Sequence, residues 1–439
     1  MRKNSARRGT STGKPSVKHG YAVLLPLAAV FAAPVNAMDY SAVTQLRTQG
    51  QYTNNIQLTP QKESASGIDV IPSLSLRGNS ETNQVSLDGT ASFKRFDRSS
   101  FDSNDQTLKA SFNHQFERSS VGLSAAMIRD STLTSELLDS GRVTNASRHT
   151  QYQVSPSWSW FLGERDSLSL TGAYVENKYD SDAYTGYKLG RGSLQWTHIL
   201  NERAKLFAAL SHSNIRYDET ETLFQTYTYK SRDTGLQVGG SYIFSEQLSG
   251  NVMFGRTNYK NTYDKKVPEQ TCLINVSIWS LFVPSLRAYA PLCTLEGGES
   301  QLSTLDAGLT WASERNQLSL QVTQQSQPSS NGNALKSTQA SAHWEFKVWE
   351  RGTVFSDLIA GRNRALGGGS DSRIVQQSDR TFGYGSLGYR HALTEQWSVE
   401  GWYQYGYQRY DQHDFKSSAN SQAVYLGLSY KPREWHWSR

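Results

Sequence analysis

The sequence predicts an all-β fold, a transmembrane antiparallel β-barrel of about 18 strands, with about 16 as the alternative. Three observations carry this prediction. Apolar and polar residues alternate along much of the chain, as they do in strands with two different faces. Short polar turns alternate with longer connections. The chain also has 23 Tyr, 11 Trp and 34 Gly against 2 Cys and 4 Met, a balance typical of aromatic-rich β-structure.

The first element in the chain is a predicted secretory signal peptide, residues 1–37. A basic stretch precedes an apolar run over 21–33, and a small-residue cleavage site ends at Ala37. The run has 13 residues (33 − 21 + 1), whereas a membrane-spanning helix needs roughly 20. We therefore expect cleavage between Ala37 and Met38, and a barrel over residues 38–439.

The charge balance excludes a polyanion-binding protein. The formal net charge is +6, but six basic residues and no acidic residue lie in the predicted signal peptide. Removing them leaves 45 − 6 = 39 basic residues against 39 acidic residues. Because the mature chain is neutral, no nucleic-acid partner is expected.

The predicted strands follow from segments with a period of two. Over 85–94 the odd positions are apolar or glycine and the even positions are polar. The same pattern returns at 108–113, 152–160, 317–323 and 339–348. Strands of about 10 to 14 residues can cross an outer membrane. A secreted β-sandwich or β-solenoid, the competing fold, commonly uses strands of about 5 or 6 residues.

An internal repeat separates these strands into hairpins. One glutamate recurs in a short polar turn at a mean interval of (395 − 81)/7, or about 45 residues. The mature 402 residues (439 − 37) hold about nine such units, hence about 18 strands. In an outer-membrane barrel, tight turns of this kind face the periplasm. The predicted periplasmic turns carry Glu81, Glu117, Glu164, Glu202, Glu246, Glu314, Glu350 and Glu395.

The connections between the hairpins are longer and rich in Asp, Asn and Gly. Long loops on one rim and short turns on the other are typical of an integral protein of the Gram-negative outer membrane. Aromatic residues near the strand ends fit the girdle of such a barrel. The predicted extracellular loops cover 54–67, 97–104, 131–147, 179–186, 217–226, 260–299, 325–335, 362–379 and 410–421.

The polar face of the strands predicts a lumen wide enough for water. It carries Ser, Thr, Gln and Asn with scattered charges of both signs, and no ladder of Arg or Lys. Two interpretations stay open: a pore for a polar, roughly neutral solute, or a wet interior without a transport role. The predicted lumen-lining residues are Ser86, Asp88, Lys94, Lys109, Asn113, Gln153, Arg191, Gln195, Asp306, Gln321, Gln339, Glu345, Lys347, Asp357 and Glu400.

The two cysteines, Cys272 and Cys293, predict one disulfide because the compartment is oxidising. They enclose an apolar run within the 260–299 loop, and such a run should pack against something. It either folds over the barrel rim or tucks into the lumen and narrows the pore. No metal site, cofactor or enzymatic activity is expected, since the nine histidines show no motif spacing with Ser or Asp.

Two segments, Gln51–Ile56 and Tyr425–Tyr430, together with the Glu-Arg and Glu-Gln turns, resemble outer-membrane β-barrel porins encoded with exopolysaccharide biosynthesis genes. The resemblance implies polysaccharide as the substrate, passed across the outer membrane. It also implies a periplasmic or inner-membrane synthesis and export machinery as a partner, beside outer-membrane lipid and lipopolysaccharide. The chain departs from such barrels by continuing nine residues past Tyr430 (439 − 430).

The alternative is a general or solute-specific uptake porin, or a structural barrel whose loops serve surface interactions. A neighbouring set of glycosyltransferase and polymerase genes would separate export from these alternatives.

Overall fold

The structure is a computed structural model, and it describes residues 38–136, 146–221, 226–285, 293, 297–366, 379–412 and 415–438. The predicted signal peptide and its cleavage site at Ala37 lie outside the described residues. No helix in the described part of the chain is long and apolar enough to cross a membrane.

Strands make up most of the described chain. They are β1 Asp39–Thr53, β2 Ala65–Asn79, β3 Asn83–Phe96, β4 Ser103–Gln115, β5 Ser119–Ser131, β6 Arg148–Phe161, β7 Asp166–Tyr179, β8 Tyr187–Asn201, β9 Ala204–Tyr217, β10 Thr220–Glu221, β11 Thr226–Ile243, β12 Leu248–Lys265, β13 Gly298–Ala312, β14 Asn316–Ser329, β15 Asn333–Trp349, β16 Gly352–Ala365, β17 Arg380–Ala392, β18 Trp397–Gln412, β19 Phe415–Tyr430 and β20 Trp435–Ser438. The connections hold two helices, α1 Thr132–Ser135 and α2 Glu269–Phe282, and a 3-10 turn at Ser99–Phe101.

Eighteen of these strands, all except the short β10 and β20, form one closed antiparallel barrel, which confirms the predicted fold class. Each wall strand pairs with its sequence neighbours, and β1 closes the barrel by pairing with both β2 and β19. The extra C-terminal residues form β20, which pairs with the start of β1 and stacks Trp437 on Tyr40. A closed wall leaves no strand edge unpaired in lipid.

Strand pairing fixes which face each side chain presents, because residues directly opposite in an antiparallel pair lie on the same face. Leu236 lies opposite Leu210 on β9, and both are exposed, as are Phe254 and Leu426 on other strands. Large apolar side chains with exposed fractions of up to 68%, the value for Leu426, require a cover of lipid. The chain is therefore an integral outer-membrane protein.

The register gives the first prediction, at neighbouring positions of β14. Leu320 faces lipid with Leu309 and Ala342 on either side, whereas Gln321 faces the lumen. Leu320→Arg is expected to lower the free energy of unfolding by about 2 to 4 kcal/mol near the membrane midplane. Gln321→Arg is the matched control and should be tolerated. Urea unfolding in lipid vesicles measures both, and equal losses would contradict this register.

The two rims differ as predicted. All eight repeat glutamates lie in the short connections between paired strands at one end of the barrel, the short-turn rim. The longer connections lie at the other end, the long-loop rim. Strand pairing continues further than predicted at this rim: β14 and β15 leave only 330–332 as a turn, and β18 and β19 stay paired as far as Gln412 and Phe415. Polar residues there continue the strands because water, not lipid, surrounds them.

Candidate functional site

The candidate site is the barrel lumen, which the inward faces of the wall strands enclose. All the predicted lumen-lining residues lie on this face, opposite the exposed apolar side chains. Cross-strand partners show the shared face directly: Asp88 lies opposite Lys109, Ser86 opposite Ser111, and Glu345 opposite Gln317 and Phe355. The same parity holds for Lys94, Asn113, Gln153, Arg191, Gln195, Asp306, Gln321, Gln339, Lys347, Asp357 and Glu400.

Several of the charged side chains in the lumen form ion pairs with one another. The tightest group surrounds Glu400, whose side chain is 6% exposed. Its carboxylate oxygens lie 2.7 Å from Arg47 Nε and 3.2 Å from Arg390 Nε. The Arg47 guanidinium also lies 5.0 Å from the ring centre of Trp402. Two cations thus share one buried anion, so removing the carboxylate would leave both without a counter-charge.

Further ion pairs lie around the inner wall. Arg77 contacts Asp88 at 2.9 Å, and Lys94 contacts Asp105 at 2.7 Å. The His343 Nδ1 lies 2.6 Å from Asp357 Oδ1. Paired charges present little net field to a passing solute, and hydroxyl and amide side chains occupy the positions between them. This arrangement fits a polar, neutral solute better than a polyanion.

An inward-folded hairpin is the main feature that the sequence did not predict. The pairing between β13 and β14 stops at Leu305 and Gln324, but β14 and β15 stay paired to Ser329 and Asn333. The hairpin therefore leaves the wall beside β13. Most of its tip is buried, and Ala334 has an exposed fraction of 0%.

Hydrogen bonds hold the hairpin tip against the inner side of β11 and β9, three and four strands along the wall from β14. Tyr217 Oη on β9 donates to the Asn333 carbonyl at 2.6 Å, and Ser326 Oγ donates to Asp233 on β11 at 2.7 Å. Ser330 bridges two further segments: its hydroxyl donates to Glu136 after α1, and its carbonyl accepts from the Thr185 amide at 2.7 Å. Near the long-loop rim, the tip thus lies inside the wall formed by β9 and β11 to β13 and contacts the connections after β5 and β7.

Local sequence explains why this hairpin can leave the wall. Pro328 lies beyond the last residue of β14 that pairs with β13, and proline cannot donate a ladder hydrogen bond to a second neighbour. The tight turn uses Gly332, whose φ of +78° favours glycine. A Cβ at this position would also meet Thr185 Oγ1 at 3.2 Å. An edge proline and a left-handed glycine together permit a tip that packs inside the barrel.

A second inward segment is the connection between β1 and β2. Leu58 is buried against Phe382, Tyr384 and Ala419, and its carbonyl accepts a hydrogen bond from Gln408 Nε2 at 2.6 Å. This segment and α1 border a partly open cavity of about 280 Å³ inside the barrel. Apolar atoms form most of its lining. Amide, hydroxyl and aromatic side chains also line it, including Gln51, Asn55, Thr134, Gln404, Ser421, Tyr384 and Tyr425.

The inward face also carries aromatic side chains that were not predicted from the sequence. Trp402 and Tyr425 stack at 4.5 Å between ring centres beside the Glu400 group. Near the long-loop rim, Tyr217, Tyr229 and Tyr263 pack ring against ring. The sequence does contain a signal for them, because these rings occupy strand positions whose parity is otherwise polar. Aromatic faces beside hydrogen-bonding groups can contact the apolar and polar sides of a sugar ring.

The 260–299 connection contains the Cys272–Cys293 disulfide, with 5.6 Å between the Cα atoms. The expectation that its apolar run packs against something is wrong for most of the run. Most of the run lies in α2, and only one side of a helix can face Cys293. Val276 lies on that side and packs against the disulfide. Leu281 and Phe282 are 76% and 75% exposed. Among the described residues, α2 packs closely on no wall strand, and the Cys293 carbonyl accepts a hydrogen bond from Lys265 Nζ at the end of β12 at 3.1 Å.

Within the described residues, no group of three or more His, Cys, Asp and Glu side chains could hold a metal ion. No protein-family model matches the sequence, and no curated protein matches it.

Solved barrels resemble the chain in outline only. The FrpB iron transporter of Neisseria meningitidis (F5-1 variant, apoprotein form) is 9% identical, with 89% of this chain and 81% of that chain covered and a TM-score of 0.47. OccK2 of Pseudomonas aeruginosa is 10% identical, with coverages of 89% and 97% and a TM-score of 0.45. The ferric-catecholate import receptor Fiu of E. coli is 7% identical, with coverages of 89% and 81% and a TM-score of 0.44. At these values the likeness carries no inference about what this chain transports.

Proposed function

We propose that this barrel passes a polysaccharide outward across the outer membrane. The observation that carries the proposal is the lumen surface, where hydroxyl and amide side chains alternate with charges that are paired among themselves. Such a surface can exchange hydrogen bonds with sugar hydroxyls as water does, without holding the chain tightly at one point. The sequence resemblance to porins encoded with exopolysaccharide genes supports the same substrate.

The inward hairpin fits an intermittent exporter. An 18-strand wall encloses a lumen wide enough to leak small solutes if nothing closes it. The β14–β15 tip is held to β9 and β11 by hydrogen bonds rather than by strand pairing, so displacing it leaves the strand pairing of the wall intact. We propose that a synthesis machine on the periplasmic side delivers the polysaccharide and that passage of the chain displaces the tip.

Uptake of a small polar solute is the second candidate, and one observation favours it. The partly open cavity of about 280 Å³, which Gln51 and Gln404 help to line, has a volume suited to one small molecule rather than a continuous chain.

Deletion of the gene separates the two candidates. For export, we expect loss of surface or secreted polysaccharide, with small-solute uptake nearly unchanged. Complementation with the intact gene should restore secretion. Normal polysaccharide secretion in the deletion strain, combined with slower entry of a small polar solute, would support uptake instead.

A further inference from the structure

Basic side chains line up on the outer surface of the barrel near the long-loop rim. Lys188 on β8 lies directly opposite Arg216 on β9, and Arg216 lies directly opposite Lys230 on β11. In the next row, Arg232 on β11 lies opposite Lys260 on β12. With Arg256 on β12, these six residues form what we call the basic collar.

The collar borders the lipid-facing surface. Arg256 lies directly opposite Leu236, and Leu236 lies opposite Leu210. Phe254 is two residues from Arg256 on the same face of β12 and is exposed. The collar therefore begins where the apolar band ends, at the depth of lipid headgroups. At the short-turn end the corresponding outward positions are aromatic, as at Trp160, Trp196 and Trp311.

The charges in the collar are only partly compensated. Like charges directly opposite one another on a sheet repel. Glu176 lies 3.4 Å from Lys188, Asp264 contacts Lys230, and Glu299 contacts Lys260. Carboxylates thus accompany the three lysines. The three arginines are Arg216, Arg232 and Arg256, and all are exposed. No carboxylate among the described residues forms an ion pair with any of them.

We propose that the basic collar binds phosphate groups of a glycolipid in the outer leaflet of the outer membrane. A guanidinium group can donate two parallel hydrogen bonds to the oxygens of one phosphate. The negative charge of the phosphate would also reduce the repulsion between neighbouring basic side chains of the collar. A phosphate carried by a lipid lies at the depth of the collar. The acyl chains of the lipid cover the adjacent apolar band, and its headgroup contacts the arginines. The proposal also fixes the orientation: the long-loop rim faces the outside of the cell.

Binding of purified lipid A to the detergent-solubilised barrel, measured by native mass spectrometry, tests the proposal. The collar variant is the triple change Arg216→Gln, Arg232→Gln and Arg256→Gln. Since each basic residue near a charged lipid surface contributes about 1 kcal/mol, we expect binding of bisphosphorylated lipid A to weaken on the order of 100-fold. The matched control changes three arginines of the short turns to Gln and should bind normally: Arg165, Arg203 and Arg315.

Three further measurements distinguish the outcomes. Heat-modifiable migration on a gel shows whether each variant is folded. Replacing the same three arginines with Lys keeps the charge but loses the two-pronged geometry, so this variant should bind more tightly than the Gln variant and less tightly than the unchanged barrel. Dephosphorylated lipid A should bind the unchanged barrel as weakly as bisphosphorylated lipid A binds the collar variant. Equal binding of both lipids, equal loss in the control, or full competition by inorganic phosphate at matched concentration would overturn the proposal.

Discussion

Excising the tip of the β14–β15 hairpin is expected to raise the single-channel conductance of the reconstituted barrel several-fold. The change removes residues 326–336 and joins Gln325 to Ser337 through Asn-Gly, since these two residues face each other across the hairpin and Asn-Gly favours a two-residue hairpin turn. The removed tip is the segment that leaves the wall and bonds to the inward-facing Tyr217 and Asp233. Planar-bilayer recordings measure the effect.

Deleting the apolar part of the disulfide loop is the matched control. Removal of residues 273–292 raises conductance only if that loop narrows the lumen. Among the described residues, α2 packs closely on no wall strand, whereas the β14–β15 tip is bonded to inward-facing side chains. We therefore expect this deletion to leave conductance unchanged. A rise in conductance with the α2 deletion, and none with the hairpin deletion, would show that the wrong segment has been identified as the constriction.

Replacing the buried lumen anion is expected to have the second large effect. Glu400→Ala leaves Arg47 and Arg390 without the carboxylate they share. We expect a loss of about 3 kcal/mol in the free energy of unfolding, at the lower end of the cost of breaking a buried ion pair, because both guanidinium groups keep contact with lumen water. The same change adds net positive charge to the lumen and should shift the pore toward anion selectivity.

Asp88→Asn is the control for Glu400→Ala. Asp88 and its partner Arg77 are both well exposed to lumen water, so we expect a loss of less than about 1 kcal/mol. Urea unfolding gives the stability change, and the reversal potential in a salt gradient gives the selectivity. Equal destabilisation by the two variants would show that burial of Glu400 does not determine the strength of its ion pairs.

Much of the barrel was predictable because its rules are local. Period-two segments such as 85–94 specify a strand and its two faces, and a glutamate-bearing turn such as that at Glu202 specifies a hairpin. Once one face meets lipid, the other must face the lumen, so the lumen side chains follow from parity alone. A one-residue error in register would have inverted every assignment.

The constriction was not predictable because its contacts are distant in sequence. Residues 325–335 are rich in Ser, Gln, Asn and Pro, a composition typical of an exposed loop. Their inward position depends on partners such as Asp233, 93 residues from Ser326, and Glu136, 194 residues from Ser330. The prediction for the apolar run at 273–283 was wrong for a related reason. Apolar composition predicts that a segment is buried, but it does not identify the packing partner, and one side of a helix can remain exposed.

The most direct test of polysaccharide passage is crosslinking inside the lumen of secreting cells. A photo-crosslinking amino acid at Gln404 would lie in the cavity wall, and the same amino acid at Tyr405 would face outward on the same strand, β18. We predict a sugar-containing adduct after illumination with the probe at Gln404 and none with the probe at Tyr405. Secretion that continues while the Gln404 probe captures no polysaccharide, or captures no more than the Tyr405 probe, would contradict passage through this lumen.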